Sequence, residues 1–151
     1  MFVLGLHVGT EGSRWSIRGV LLDPANDAVS SIVIEHFPDK RHDEATQARE
    51  AHDAVASALR GHQVSAAVLR EADYHPRQKI TDGAKRRLRL EGACLAACRA
   101  TGMQVDVKNG QEIGAAYGGK KGDAFDAARD LGVDEKLVDA AAAALSAKSL
   151  I

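Results

Sequence analysis

Aromatic residues are scarce. One Trp, two Tyr and three Phe make up 4% of the 151 residues, so a sheet face that stacks nucleobases is not supported. Cysteine is nearly absent: Cys94 and Cys98 are the only two. They fall four apart on one predicted helix face, a poor geometry for a bridge, and read as reduced, small apolar residues of a cytoplasmic protein. No apolar run approaches the roughly 18 residues that a membrane-spanning helix needs. The N-terminus lacks the basic stretch of a secretory leader, so a cytoplasmic location is expected. Neither sign of charge dominates. Lys and Arg number 20 against 21 Asp and Glu, a formal net charge of −1, which excludes a uniformly basic protein but leaves room for a local basic patch.

What is present fits one domain over residues 1–151. A chain of this length buries roughly 70% of the surface it exposes when unfolded, so it needs no disulfide or metal staple. The apolar run Phe2 to His7 reads as a buried strand leading into a glycine turn at Gly9 and Gly12. Arg14 to Leu22 is a second strand, with Trp15 and Ile17 on one face and Ser16 and Arg18 on the other. The stretch from Asp23 to Asp27 is a turn by composition. Ala28 to Phe37 is a third strand, with Ile32 and Ile34 in phase, and Pro38 ends it. Short turns between these three imply an antiparallel meander.

Helical spacing of Ala45, Ala48, Ala51, Val55 and Leu59 predicts a helix from about Asp43 to Arg60, stopped by Gly61. Val64 to Arg70 is a short strand, and a strand–helix–strand passage implies parallel pairing. Tyr74 to Lys79 is a loop. Asp82 is a candidate cap for a long helix to about Ala100, and Met103 to Val107 is a fifth strand. Asn109 is placed to cap a short helix over Gln111 to Tyr117. Ala124 to Leu131 is helical, and Asp134 is a candidate cap for a last, alanine-rich helix to about Lys148. The order β-β-β-α-β-α-β-α-α describes an α/β fold with a mixed five-stranded sheet flanked by helices.

Several short motifs give this order a family likeness. Leu4-Gly5-Leu6-His7-Val8-Gly9-Thr10 ends a first strand, and Val68-Leu69-Arg70-Glu71 ends a fourth. Arg89-Leu90-Glu91-Gly92-Ala93 lies in the following helix, and Val138-Asp139-Ala140-Ala141-Ala142 opens the last one. Together they resemble the RNase H-like superfamily, in its branch of RuvC-type Holliday-junction resolvases. In that pattern the first strand delivers an aspartate, where this chain has His7, and the last helix carries a second aspartate, where this chain has Ala142. Only Glu71 and Asp139 match. Leu4 to Asp23 is also similar to the opening phosphate loop of actin-like sugar kinases. Those enzymes need a second domain to close over ATP, so this is read as a shared fold signal.

The resemblance implies Mg²⁺ or Mn²⁺ held by Glu71, Asp139 and His7, which would then carry phosphodiester hydrolysis by paired metal ions. Mg²⁺ favours oxygen ligands, so two carboxylates and an imidazole are a poor set for it, and the imidazole suits Mn²⁺ or Zn²⁺ somewhat better. Asp73 and Glu11 are substitutes from nearby loops. Glu71 ends an apolar run, where a carboxylate needs solvent, a basic partner such as Arg70 or Arg77, or a metal. Asp139 also complements the dipole at a helix N-terminus. Of the other histidines, only His75 lies near the expected site.

A basic segment follows Glu71: Arg77, Lys79, Lys85, Arg86, Arg87 and Arg89, with Lys120 and Lys121 as a second contact. Placed beside the strand ends, these residues suit phosphates. Two functions stay open. One is a nucleic-acid-binding domain and divergent metal-dependent endonuclease acting on structured DNA or RNA. The other is a catalytically inactive interaction or dimerisation module. A homodimer is implied by the resemblance alone.

Overall fold

The computed structural model describes residues 1–151. Its elements are β1 (Phe2–Glu11), β2 (Arg14–Asp23), β3 (Ala28–His36), α1 (Glu44–Leu59), β4 (Val64–Arg70), α2 (Asp82–Arg99), β5 (Gln104–Lys108), α3 (Gly110–Tyr117), α4 (Lys121–Asp130) and α5 (Val138–Ala147). Single 3-10 turns at Glu135–Leu137 and Lys148–Leu150 flank α5. The five strands form one sheet in the order β3-β2-β1-β4-β5. The first three are antiparallel, and β4 and β5 run parallel to β1. The α/β class, the mixed sheet and the element order follow the sequence-based expectation.

Alternation along the strands divides the core into two layers. Leu4, Leu6, Val8, Ile17, Leu21, Ala67 and Leu69 face α1 and α2, where they meet Ala51, Val55, Leu90, Cys94 and Cys98. Val3, Val20, Leu22, Ala66 and Val68 face the other way, onto α5, with Ile113, Ala124 and Ala128 of α3 and α4 packed behind. Each fully buried Leu, Ile or Val contributes about 1.5–3 kcal/mol relative to exposure. Both cysteines are buried and unbridged, and burial pushes each thiol up to about 12.

The alanine-rich α5 is an interior helix. Every residue from Ala140 to Ala147 is buried, so long side chains have no room. Gly5 makes the approach possible: a Cβ there would lie 1.8 Å from the Ala140 carbonyl oxygen. The result lays α5 across β1 with Asp139 at the helix's first turn.

Several local expectations differ from the structure. β1 does not stop at His7 but runs to Glu11, because its hairpin with β2, turned at Gly12 (φ +62°), outlasts its pairing with β4. Ile32 is 41% exposed while Ile34 is buried; β3 is an edge strand whose register against β2 shifts between Val20 and Leu22. The α2 cap is Thr81, whose hydroxyl accepts the Ala84 N–H at 3.0 Å, rather than Asp82. α4 begins at Lys121, three residues early, because the Asp123 carboxylate accepts the Lys120 N–H at 2.8 Å. Asp134 makes no capping bond, since α5 is entered through a 3-10 turn.

Candidate functional site

The pairing register sets the site. His7 lies directly opposite Arg18 on β2 and Arg70 on β4. Arg18 in turn faces Glu35 on β3, and Arg70 faces Lys108 on β5. Residues opposite one another in a ladder project to the same face. Glu35, Arg18, His7, Arg70 and Lys108 therefore form one row across the sheet, on the α5 side, at the level where β4 ends.

Two guanidinium groups are buried in that row. Arg18 is 5% exposed and Arg70 8%. Arg18 donates to Glu11 (2.8 Å), Glu35 (3.3 Å) and the Ser16 hydroxyl (3.1 Å). Arg70 donates from Nε to Asp139 (3.3 Å), through both terminal nitrogens to Asp73 (3.1 Å each) and to the Glu71 carbonyl. Asp73 also accepts the Gly110 N–H (2.8 Å) and the Lys121 ammonium (2.5 Å). Burial alone would raise the Asp73 carboxyl, but the bonds from Lys121, Gly110 and Arg70 outweigh it and hold the group far below the usual carboxylate range. A buried charge is tolerable only when paired in this way.

His7 stands between the two arginines. Burial lowers its pKa to about 4; Asp139 pulls upward, and Arg87, Arg70 and Arg18 push down. The imidazole is neutral at physiological pH. It lines a shallow depression of about 240 Å³ together with Thr10, Glu11, Arg18 and Asp139. It also lines a larger cleft of about 470 Å³ with Thr10, Trp15, Tyr74 and Arg87, on the side of α2.

His7 and Asp139 are thus brought together, but Glu71 does not join them. Its N–H bonds to the Lys108 carbonyl at 3.0 Å. Its carboxyl is raised by burial and then by Glu112, with Arg70 and Arg87 opposing. No group of three or more His, Cys, Asp or Glu side chains is arranged to hold a metal ion. His7, Glu71 and Asp139, the ligand set expected for Mg²⁺ or Mn²⁺, are not grouped in that way, and Arg70 Nε lies 3.3 Å from Asp139 Oδ1. The substitutes are engaged too, Asp73 by Arg70 and Glu11 by Arg18.

The basic segment divides in two. Arg77, Lys79 and Lys85 are exposed and make no ion pair, and Lys120 is likewise exposed. Arg86 and Arg89 both reach Glu44 on α1, and Lys121 is held by Asp73. Arg87 differs from the expected surface position: it is half-buried, lines the larger cleft and lies 3.4 Å from Glu91. Nitrogens Nε and Nη2 of Arg87 and Oε1 of Glu91 are buried without hydrogen-bond partners. Burial raises Glu91 to about 7, against the pull of Arg87. His75 is exposed, its ring nitrogen accepting the Arg77 N–H at 3.2 Å.

Sequence reading undervalued Arg18, Arg70 and Glu91. The signal was there: a lone charged side chain on the inward face of an apolar strand or helix must find a partner inside the fold.

A scan of protein-family models and a search of curated proteins return no match. Solved structures do match. Thermus thermophilus RuvC aligns with a TM-score of 0.72 at 19% identity, over 97% of this chain and 92% of that one. T. thermophilus RuvC in complex with Holliday junction substrate aligns with a TM-score of 0.70 at 19% identity, over 97% and 91%. The fold is therefore RNase H-like, of the RuvC type.

Proposed function

We propose that this RuvC-type fold binds structured DNA or RNA and does so without metal-dependent cleavage. The observation that carries the reading is the free basic surface of Arg77, Lys79 and Lys85, on the loop after β4 and the first turn of α2. It borders the cleft at the strand ends, and unpaired Lys and Arg are what phosphate binding requires. The likeness to a RuvC structure that holds a Holliday junction supports branched nucleic acid as the substrate class. The scarcity of exposed aromatics favours backbone contact over base stacking.

Hydrolysis by paired metal ions has no support in the donor set. Hard divalent ions need several oxygen ligands, and the carboxylates of Glu11, Asp73 and Asp139 already bind arginine or lysine. A Mg²⁺- or Mn²⁺-dependent endonuclease is thus the weaker reading.

Fluorescence anisotropy with a labelled four-way DNA junction and a structured RNA hairpin tests the proposal. Removing one cation that neutralises a phosphate lowers the slope of log affinity against log salt by about 0.9 on duplex DNA. Arg77→Ala, Lys79→Ala and Lys85→Ala combined should weaken binding and flatten that slope. Arg86→Ala with Arg89→Ala should do less, since Glu44 already neutralises them in part. An unchanged slope in the triple variant contradicts the assignment.

A second reading has its own observation. Ile32 and Val33 are each 41% exposed on edge strand β3, which suits a protein-interaction or homodimerisation module. Sedimentation equilibrium separates the two: a dimer dissociated by Val33→Lys, with no nucleic-acid affinity, favours the second.

A further inference from the structure

We infer that the Arg70 guanidinium is the resident cation of the strand-end rim, standing where a divalent ion would otherwise be needed, and that it closes Asp73 and Asp139 to metal. This deepens the metal-free half of the function proposed above. Its test contains no nucleic acid, so its failure is distinguishable from failure of the binding reading.

Both oxygens of Asp73 and one oxygen of Asp139 are already engaged. Asp73 Oδ1 accepts from Arg70 and from the Gly110 N–H, and Oδ2 accepts from Arg70 and from Lys121. Asp139 Oδ1 accepts from Arg70 Nε. The Glu71 carbonyl accepts from Arg70 as well. One guanidinium therefore gathers three acceptor groups from the end of β4, the following loop and α5, as a bound cation would. It does so at 8% exposure, with the Phe125 ring 5.6 Å away.

Charge points the same way. Arg70 and Lys121 offset Asp73 and Asp139 one for one. A divalent ion added there would face two positive charges at short range. Along the sheet, Arg18 supplies a further positive charge, itself offset by Glu11 and Glu35. Arg70 is fixed in place by the ladder, since its position opposite His7 determines the face it occupies.

Removing the cations should therefore create the metal affinity that the native chain lacks. The probe is Mn²⁺, followed by the electron paramagnetic resonance signal of the free aqueous ion, on the full chain. The native protein should leave that signal undiminished. Arg70→Gln combined with Lys121→Gln should deplete it, with affinity at least about tenfold tighter than native, as ligand charge is freed. Adding Asp139→Asn should restore the signal. A native chain that binds Mn²⁺ and loses it on Asp139→Asn overturns the inference, as does a folded double variant that binds no better than native. Should the double variant lose its native circular dichroism, the native chain decides alone. Its melting temperature should be the same in millimolar Mn²⁺ as in EDTA, and a stabilisation abolished by Asp139→Asn overturns the proposal.

Discussion

His7 and Glu91 carry charge states set by the fold, and they respond to pH in opposite directions. His7 takes up a proton near pH 4 when folded and near 6.5 when unfolded. Between those values the unfolded chain binds more protons, so stability falls as pH drops from about 6.5 to about 4. Glu91 titrates near 7 in the fold, above its ordinary 4.5. Its contribution is fully present below pH 4.5 and is lost as pH rises to about 7. Each effect is bounded at about 3 kcal/mol, and the two oppose one another between pH 4.5 and 6.5. Urea denaturation at pH 4, 5.5, 7 and 8 resolves them. His7→Gln should remove the acid loss, and Glu91→Gln should remove the decline toward neutral pH. A His7→Gln chain that loses as much stability on acidification as the native chain contradicts the neutral, half-buried imidazole.

At the scale of elements, the packing of α5 on β1 positions Asp139. Gly5 leaves no room for a methyl group beneath the Ala140 carbonyl. Gly5→Ala must push α5 off the sheet, and overpacking of this kind costs about 1–3 kcal/mol or more. The substitution should lower the urea midpoint accordingly and should also raise the His7 pKa, as the helix and its burial of the site move outward. The His7 C2–H resonance in a pH titration reports the second effect. A Gly5→Ala chain of native stability and unchanged His7 titration contradicts the close approach. The element order was legible in the sequence because apolar periodicity, Gly61 and Gly102 mark most of the boundaries. The reach of β1 past His7 was not legible. It depends on a hairpin outlasting a parallel neighbour, which is a property of two strands and not of one. The start of α4 was hidden for a similar reason, since Lys120 and Asp123 do not announce a cap by residue type.

At the scale of the whole molecule, motif positions were readable but their company was not. Leu4 to Thr10, Glu71 and Asp139 indicated the RuvC-type fold that the solved structures bear out. What fills the space between those motifs depends on register. Only pairing of β1 with β2 and β4 reveals that His7 lies between Arg18 and Arg70. The basic segment was legible as a run of charges, yet its partition into free and paired members required α1, because Glu44 lies far from Arg86 and Arg89 in sequence. No helix is long and apolar enough to cross a membrane. Under the proposed function, a large anionic partner would meet the strand-end rim, with Arg77, Lys79 and Lys85 along its border.

The most direct measurement follows a labelled four-way DNA junction with the native chain in EDTA, and again in Mg²⁺ or Mn²⁺ at matched ionic strength. Both affinity and strand length are read on native and denaturing gels. Binding should be of equal strength in EDTA and metal, weakening steeply with salt, with full-length strands throughout. Binding that requires the metal, or a cleaved strand whose formation is abolished by Asp139→Asn, would contradict it.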